Sequence, residues 1–294
     1  MRRFVDLHTH STASDGTLTP EELIRQAEAR QLAAVALTDH DTTAGLRRAH
    51  LAARQCPALR FVPGVEVSAR SARGTLHILG LGIDETAEPL ARLLCQLRQA
   101  RAERNPRILA KLQALGLAID MDDVRGAGGQ DACGPAVIGR LHIAEALRRR
   151  ACVRSVQDAF AKYLRDGGPA YVDKERLAPG QVIDAIVASG GLAVLAHPAQ
   201  LQCDNRAQLE RIVRELLAQG LEGLEVYHSD HNPAQTREFL DLAGRLGLCV
   251  TGGSDFHGSP KPQATLGRPR VPLSMITGRL ADWLRPPARP GRQS

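Results

Sequence analysis

The 294-residue chain has no apolar run near the roughly 18 residues that crossing a bilayer requires, and Met1-Arg2-Arg3-Phe4-Val5-Asp6 lacks the apolar core of a secretory signal. The expectation is a cytoplasmic protein with no membrane partner. The six cysteines, Cys56, Cys95, Cys133, Cys152, Cys203 and Cys249, are scattered without a close pair, which excludes a disulfide framework and a thiolate zinc site. Aromatic residues make up only 3%, too few for a long single-strand binding surface built from stacking platforms. Lysine is nearly missing: Lys111, Lys162, Lys174 and Lys261 are the only four, so arginine carries the net charge of +6. Arginine suits bidentate phosphate contacts, although a coding bias toward arginine and alanine gives the same excess. There is no internal repeat. Gly126-Ala127-Gly128-Gly129 is followed by no Gly-Lys-Ser and fed by no strand, so it reads as a connection rather than a phosphate loop.

What is present is an ordinary globular balance, 43% hydrophobic and 24% charged, in a length that fits one barrel-sized domain or two smaller ones. Short β-type runs alternate with amphipathic helical stretches, the pattern of an α/β fold with mainly parallel strands. Seven strands are expected at Phe4 to His8, Ala33 to Thr38, Arg60 to Val67, Thr75 to Leu81, Leu192 to Ala196, Gly223 to Tyr227 and Leu248 to Gly252. Thr19, Pro20 and Glu22 form a helix start with a capping box. Further helices are expected near Thr43 to Gln55, Arg206 to Gln219 and Pro233 to Leu246. Residues 91–173 show helical periods and no strand, so they read as an inserted helical subdomain in a discontinuous barrel of residues 1–90 and 174–284. Residues 285–294, rich in proline and arginine, read as a mobile tail.

Ten histidines carry the chemistry. His8 and His10 close the first strand on one face, because side chains in a strand alternate. His40 follows the second strand, Glu66 sits in the third, His77 in the fourth, His197 ends the fifth, His228 the sixth, and Asp255 and His257 follow the seventh. In a parallel barrel those ends meet at one face, and with Asp15 they would converge on a polynuclear metal centre. Imidazole and carboxylate without thiolate suit Mn²⁺, Zn²⁺ or Fe²⁺. Three divalent ions against three carboxylates would leave the pocket at about +3, which draws in a phosphate monoester. Metals about 4 Å apart share a hydroxide that attacks phosphorus in line.

Together, His8-Thr9-His10-Ser11 with Ser14-Asp15-Gly16, Thr38-Asp39-His40-Asp41, Gly64-Val65-Glu66, Ala196-His197-Pro198 and Ser254-Asp255-Phe256-His257 resemble the successive motifs of the polymerase and histidinol phosphatase (PHP) family. Gly168-Pro169-Ala170-Tyr171-Val172 with Lys174 narrows the resemblance to its YciV/TrpH-type phosphoesterases. The resemblance implies a distorted seven-stranded β/α barrel with a helical insertion, and two or three divalent ions per chain, Mn²⁺ first among them. It implies one ion on His8, His10, Glu66 and Asp255, a second on Glu66, His77 and His197, and a third on Asp15, His40 and His257. Asp15 stands where some relatives carry histidine and is a harder, charged ligand. The implied activity is removal of the 3′-phosphate from nucleoside 3′,5′-bisphosphates, with 5′-to-3′ exonuclease action on short RNA. No obligate protein partner is implied.

In this reading Asp255 and His228 are the catalytic residues, His228 as general acid or phosphate ligand, with orientation of a metal ligand as its plainer role. Lys174, Arg140, Asn105 and, with less weight, His142 are expected to clamp a distal phosphate. His231, His50 and Arg148-Arg149-Arg150 read as surface features. Tyr171, Tyr227 and Phe256 stack on a base or pack in a core. The alternatives are a phosphatase for a metabolite such as histidinol phosphate, a nuclease acting mainly on longer strands, a C–N hydrolase, and a non-catalytic metal-binding module.

Overall fold

The computed structural model describes residues 3–125, 137–173 and 176–284. Gly126 to Gly129, Lys174 and residues 285–294 lie outside the described residues. Eight strands form one sheet in the order β7-β6-β5-β4-β3-β2-β1-β8. They are β1 (Phe4–Asp6), β2 (Ala34–Leu37), β3 (Arg60–Ala69), β4 (Leu76–Leu81), β5 (Leu192–Leu195), β6 (Gly223–Tyr227), β7 (Cys249–Gly252) and β8 (Val271–Pro272). The expected seven are thus eight. The extra strand has two residues, one of them a proline, too short to show any alternation, and it pairs antiparallel with the edge of β1.

A second correction concerns direction. β1, β2 and β3 run parallel, as do β5, β6 and β7, but β4 is antiparallel to both of its neighbours. Only residues 70–75 join β3 to β4, a hairpin length that no parallel crossover can fit. The reversal brings the first residues of β4 to the face where the other strands end. The sheet closes into a barrel beyond its regular pairing: Leu7 N–H donates to the Gly252 carbonyl (3.1 Å), Asp255 N–H to His8 (2.8 Å) and His10 N–H to Phe256 (3.0 Å).

Period-two alternation sorts the strand residues. Val5, Leu7, Ala34, Ala36, Leu79, Leu81, Leu192 and Val194 fill the barrel interior, together with Val271 of β8 and Leu280 and Leu284 of α10 (Gly278–Leu284). Val35, Leu37, Val65, Ile78, Leu195, Leu224 and Val226 face outward under a layer of helices. That layer comprises α1 (Pro20–Ala29), α2 (Leu46–Ala53), α7 (Pro179–Ala188), α8 (Arg206–Leu217) and α9 (Pro233–Leu246). The Thr19 capping box is present: its hydroxyl accepts from Glu22 N–H, and Glu22 Oε2 accepts from Thr19 N–H at 2.8 Å.

Between β4 and β5 the described residues include α3 (Glu88–Ala114), α4 (Met121–Arg125), α5 (Arg140–Arg149) and α6 (Val156–Ala159), which runs on into a π-turn at Phe160–Leu164, and no strand. Their apolar side chains make a separate cluster, with Ile108, Leu109, Leu112, Ile143, Leu147 and Leu164 at its centre. The N-terminal half of α3 instead buries Leu90, Leu93, Leu94 and Leu97 against the barrel layer. One helix therefore spans both cores, and the buried residues at the changeover are the polar Arg104 and Asn105. Among the described residues no helix is long and apolar enough to cross a membrane.

Candidate metal centre

The C-terminal ends of β1, β2 and β7 are tied together before any functional side chain leaves them. Thr9 Oγ1 donates to the Ala36 carbonyl (2.5 Å), and Asp39 gathers the loop after β1 by accepting from Ser11 N–H (2.8 Å), Ser11 Oγ (2.7 Å) and Ser14 Oγ (2.6 Å). Gly253 lets the backbones pass: a Cβ there would lie 2.4 Å from the amide nitrogen and Cβ of His8. Asp255 and His197 hold positive φ angles of 53° and 27°. Strained backbone of this kind concentrates where side chains must be aimed.

Glu66 is the hub. Its Oε2 lies 3.2 Å from His8 Nε2, 3.2 Å from His10 Nε2 and 3.0 Å from His40 Nδ1, and its Oε1 lies 2.6 Å from His77 Nδ1 and 2.9 Å from His197 Nε2. His77 is the second residue of β4, so it reaches this hub because that strand is reversed. Asp255 Oδ1 faces His10 Nε2 at 3.1 Å and His8 Nε2 at 3.4 Å. Asp15 lies 3.3 Å from His257 Nε2 and 3.8 Å from His40 Nε2. The structure thus brings all nine sequence-read ligands, His8, His10, Asp15, His40, Glu66, His77, His197, Asp255 and His257, to one end of the barrel.

Among the described residues four compact sets of donor atoms emerge, three of them built only from these nine residues: His8, His10, Glu66 and Asp255; His10, Asp15, His40 and His257; and His40, Glu66 and His77. Their chemistry fits divalent metal. His8 Nε2, His10 Nε2 and Nδ1, His40 Nδ1 and Glu66 Oε2 are buried without hydrogen-bond partners, a cost that proteins accept when an ion completes the group. Second partners orient the rings: His8 Nδ1–H donates to Glu225 (3.0 Å), and His257 Nδ1–H donates to the Asp255 carbonyl (2.8 Å), which leaves each Nε2 facing inward.

The charges within the cluster hold one another. Burial alone would depress His10, but Asp255 and Glu66 raise it to about 10, and Glu225, Glu66 and Asp255 likewise raise His8 against its burial. Burial would push the carboxyls of Glu66, Asp15 and Asp255 up, yet the surrounding histidines hold each well below its ordinary range. Glu225, wholly buried, is held at about 2, chiefly by His8 and His228 against desolvation. His77 goes the other way, to about 4, because its desolvation outweighs Glu66.

His228 also lies in a compact set with His8 and Glu225, but its tautomer argues against ligation. Its Nδ1 accepts the Asp230 N–H at 3.0 Å, so in the neutral ring the proton sits on Nε2, 3.4 Å from Asp255 Oδ2. A ring with its proton there is a donor. His231 donates Nδ1–H to the Val226 carbonyl (2.9 Å) and packs on Phe239.

Beside Glu66 a cavity of about 190 Å³ opens, lined by Asp15, His40 and His77 on one side and by Arg101, Arg104, Arg140 and Arg176 on the other. Arg101 Nε pairs with Asp41 (2.8 Å), and Arg140 donates to Asp166 (2.6 Å) and lies 5.3 Å over the Tyr171 ring. Arg104 differs: it is buried, and among the described residues its hydrogen-bond partner is the side-chain carbonyl of Asn105 (2.9 Å). No carboxylate pairs with it among the described residues. Burial, with Arg101 and Arg140 nearby, lowers Arg104 to about 9. The Asn105 amide in turn donates to the Ile138 carbonyl (2.9 Å), so its polar atoms hold the wall. His142 Nδ1 accepts from Gly139 N–H (3.0 Å), and burial lowers its pKa.

Sequence reading missed Glu225, Arg101, Arg104, Arg176 and Lys261. For the two arginines of α3 a signal existed: positions 101, 104 and 105 continue the buried stripe of Leu94 and Leu97 toward Ile108, yet hold polar residues. Lys261, whose Nζ lies 2.7 Å from Asp255 Oδ2, offered none.

Comparison with known proteins agrees with this geometry. A PHP domain profile matches residues 6–125. The chain is 40% identical to a 3′,5′-nucleoside bisphosphate phosphatase of Chromobacterium violaceum, over 86% of this chain and 87% of that one. It is 35% identical to the 5′-3′ exoribonuclease Rnm of Escherichia coli, over 90% of this chain and 88% of that one. A solved structure of a protein from Bifidobacterium adolescentis superposes with a TM-score of 0.83 at 33% identity, covering 94% of this chain and 97% of that one.

Proposed function

The chain belongs to the PHP family of metal-dependent phosphoesterases, and from that premise we propose that it removes the 3′-phosphate of nucleoside 3′,5′-bisphosphates. The observation that carries this reading is the juxtaposition of a metal-competent cluster with an arginine-lined cavity that contains a buried cation, Arg104, with no carboxylate ion-paired to it among the described residues. A substrate with two phosphates would satisfy both halves at once, one at the cluster and the other among the arginines. Histidinol phosphate carries an ammonium group, which these arginines repel, so the cavity disfavours that alternative.

In this proposal His8, His10, Glu66 and Asp255 hold one ion, Glu66, His77 and His197 a second, and Asp15, His40 and His257 a third; the distances to Glu66 and Asp15 support the assignment. Such ions, Mn²⁺ first among them, supply Lewis acidity to phosphoryl oxygens and ionise water at neutral pH. Glu225 keeps the His8 ring turned inward. His228 offers Nε2–H to an oxygen of the substrate, in keeping with its accepting Nδ1. Arg140 and Arg104 bind the distal phosphate, with Asn105 steadying Arg104; Lys174 is assigned to the same clamp on sequence grounds alone. The helical segment 91–173 is an insertion that supplies this wall. Action on short RNA is a related reading, favoured by the similarity to the exoribonuclease.

The test is phosphate release by Mn²⁺-loaded protein from adenosine 3′,5′-bisphosphate, the two adenosine monophosphates and histidinol phosphate, with mononucleotide release followed in parallel from a short and a longer 5′-phosphorylated RNA. A preference of at least about tenfold for the bisphosphate, the worth of one charge-assisted contact, is expected. Activity confined to histidinol phosphate, or to longer RNA, overturns the assignment.

A further inference from the structure

Asp255 has two differently occupied oxygens. Oδ1 faces the imidazoles of His10 and His8 inside the cluster, whereas Oδ2 turns outward and accepts from Lys261 Nζ at 2.7 Å, with His228 Nε2 3.4 Å away. Lys261 is itself anchored: Nζ also donates to Asp230 Oδ2 at 3.3 Å, Asp230 accepts from Gln200 (3.2 Å), and the Asp230 N–H holds the His228 ring. The side chain is 17% exposed and sits in the turn after β7, where its N–H donates to the Gly258 carbonyl at 3.1 Å.

A carboxylate with both oxygens free can chelate an ion, and one whose second oxygen is held can offer only the first. A hydrolytic centre must keep a coordination position open for water or substrate. The geometry points to Lys261 as a positioning residue that keeps Asp255 a one-oxygen ligand, with Oδ1 inward. This rests on the proposed metal-dependent phosphatase function. Two consequences follow from the position of the charge. The ammonium draws electron density from Asp255 and repels cations, so it weakens ion retention. It also preserves the open position, so it raises turnover. Loss of Lys261 should therefore tighten metal binding while slowing the reaction, a pairing that general damage to the fold does not produce.

The experiment compares wild type, Lys261→Met and Lys261→Arg by three measurements: the Mn²⁺ dissociation constant from free-ion electron paramagnetic resonance, kcat and KM on adenosine 3′,5′-bisphosphate, and the melting midpoint. In Lys261→Met, kcat should fall about tenfold to a hundredfold, KM should stay within about twofold, and Mn²⁺ should bind more tightly. Lys261→Arg should restore most of the turnover and return the Mn²⁺ constant toward wild type. Unchanged kcat in Lys261→Met overturns the inference. So does a fall in kcat accompanied by looser Mn²⁺ binding and a lower melting midpoint, which marks a merely structural role. If wild-type protein itself releases no phosphate, it is the functional reading that fails, and the Mn²⁺ constants of the three proteins still decide the role of Lys261.

Discussion

Raising the pH should tighten metal binding to the ion-free protein and at the same time loosen that protein's own fold. His10 is held at about 10, and His8 well above its ordinary 6.5, by the carboxylates around them. Glu66, Asp15 and Asp255 are held low, so they are already ionised near neutrality and contribute no protons. An ion that takes His10 at pH 7 must therefore displace a proton bound about three units more tightly than solution demands, a competition worth about 4 kcal/mol. The apparent affinity should climb about tenfold per pH unit if one histidine gives up its proton, and about a hundredfold if His8 does so as well. Calorimetric Mn²⁺ titration at about pH 6.5 and about pH 8, in two buffers of different ionisation enthalpy, counts the released protons directly. For the fold the sign is opposite: a histidine raised in the folded state stabilises it fully below about pH 6.5, and that contribution is lost as the pH rises through about 10. The melting midpoint of ion-free protein should fall across this window as the gap to metal-loaded protein widens. An affinity that is flat with pH, with no proton released, would refute the cluster electrostatics described above.

Three further outcomes follow from the same geometry. Arg104→Met should raise KM for adenosine 3′,5′-bisphosphate about tenfold to a hundredfold and leave adenosine 3′-monophosphate nearly unaffected; because a buried unpaired cation is removed, the melting midpoint should hold or rise, and equal losses on both substrates would count against the distal-phosphate clamp. Glu225→Gln removes the carboxylate that accepts His8 Nδ1–H and His197 N–H, so metal affinity measured by dialysis should drop about tenfold to a hundredfold; unaltered metal content at limiting Mn²⁺ would mean that Glu225 does not orient His8. Gly253→Ala forces a Cβ to within 2.4 Å of His8 backbone and Cβ, and denaturant unfolding should register a loss of about 1–3 kcal/mol together with lower activity.

Much of the centre was legible because covalent spacing decides it. His8 and His10 lie past the end of β1 at Asp6, where the extended chain runs on through the Thr9 bridge to Phe256, so their side chains still share a face, and Asp255 and His257 follow β7 closely enough to emerge at the same end. The continuous apolar runs that identify β2 and β5 as buried strands also fix where His40 and His197 emerge. His77 was read correctly into its strand, but its arrival at Glu66 depends on the reversal of β4, which follows from the length of the connection rather than from the strand's own pattern. The eighth strand has no pattern to read.

The sequence by itself determined the inventory: imidazole and carboxylate without a paired thiolate set, arginine far in excess of lysine, and ligand-type residues spaced so that the strands present them at one end of a barrel. Only the tertiary structure decided which atoms face the centre. Glu225 and His8 lie 217 positions apart, and their hydrogen bond sets the His8 tautomer. The Asp230 amide makes His228 a donor, Lys261 divides the two oxygens of Asp255, and Arg104 lines the cavity bonded to Asn105 rather than ion-paired to a carboxylate. Local propensity acts over a few residues, whereas proton positions and electrostatic partners are set by contacts between segments that only folding brings together.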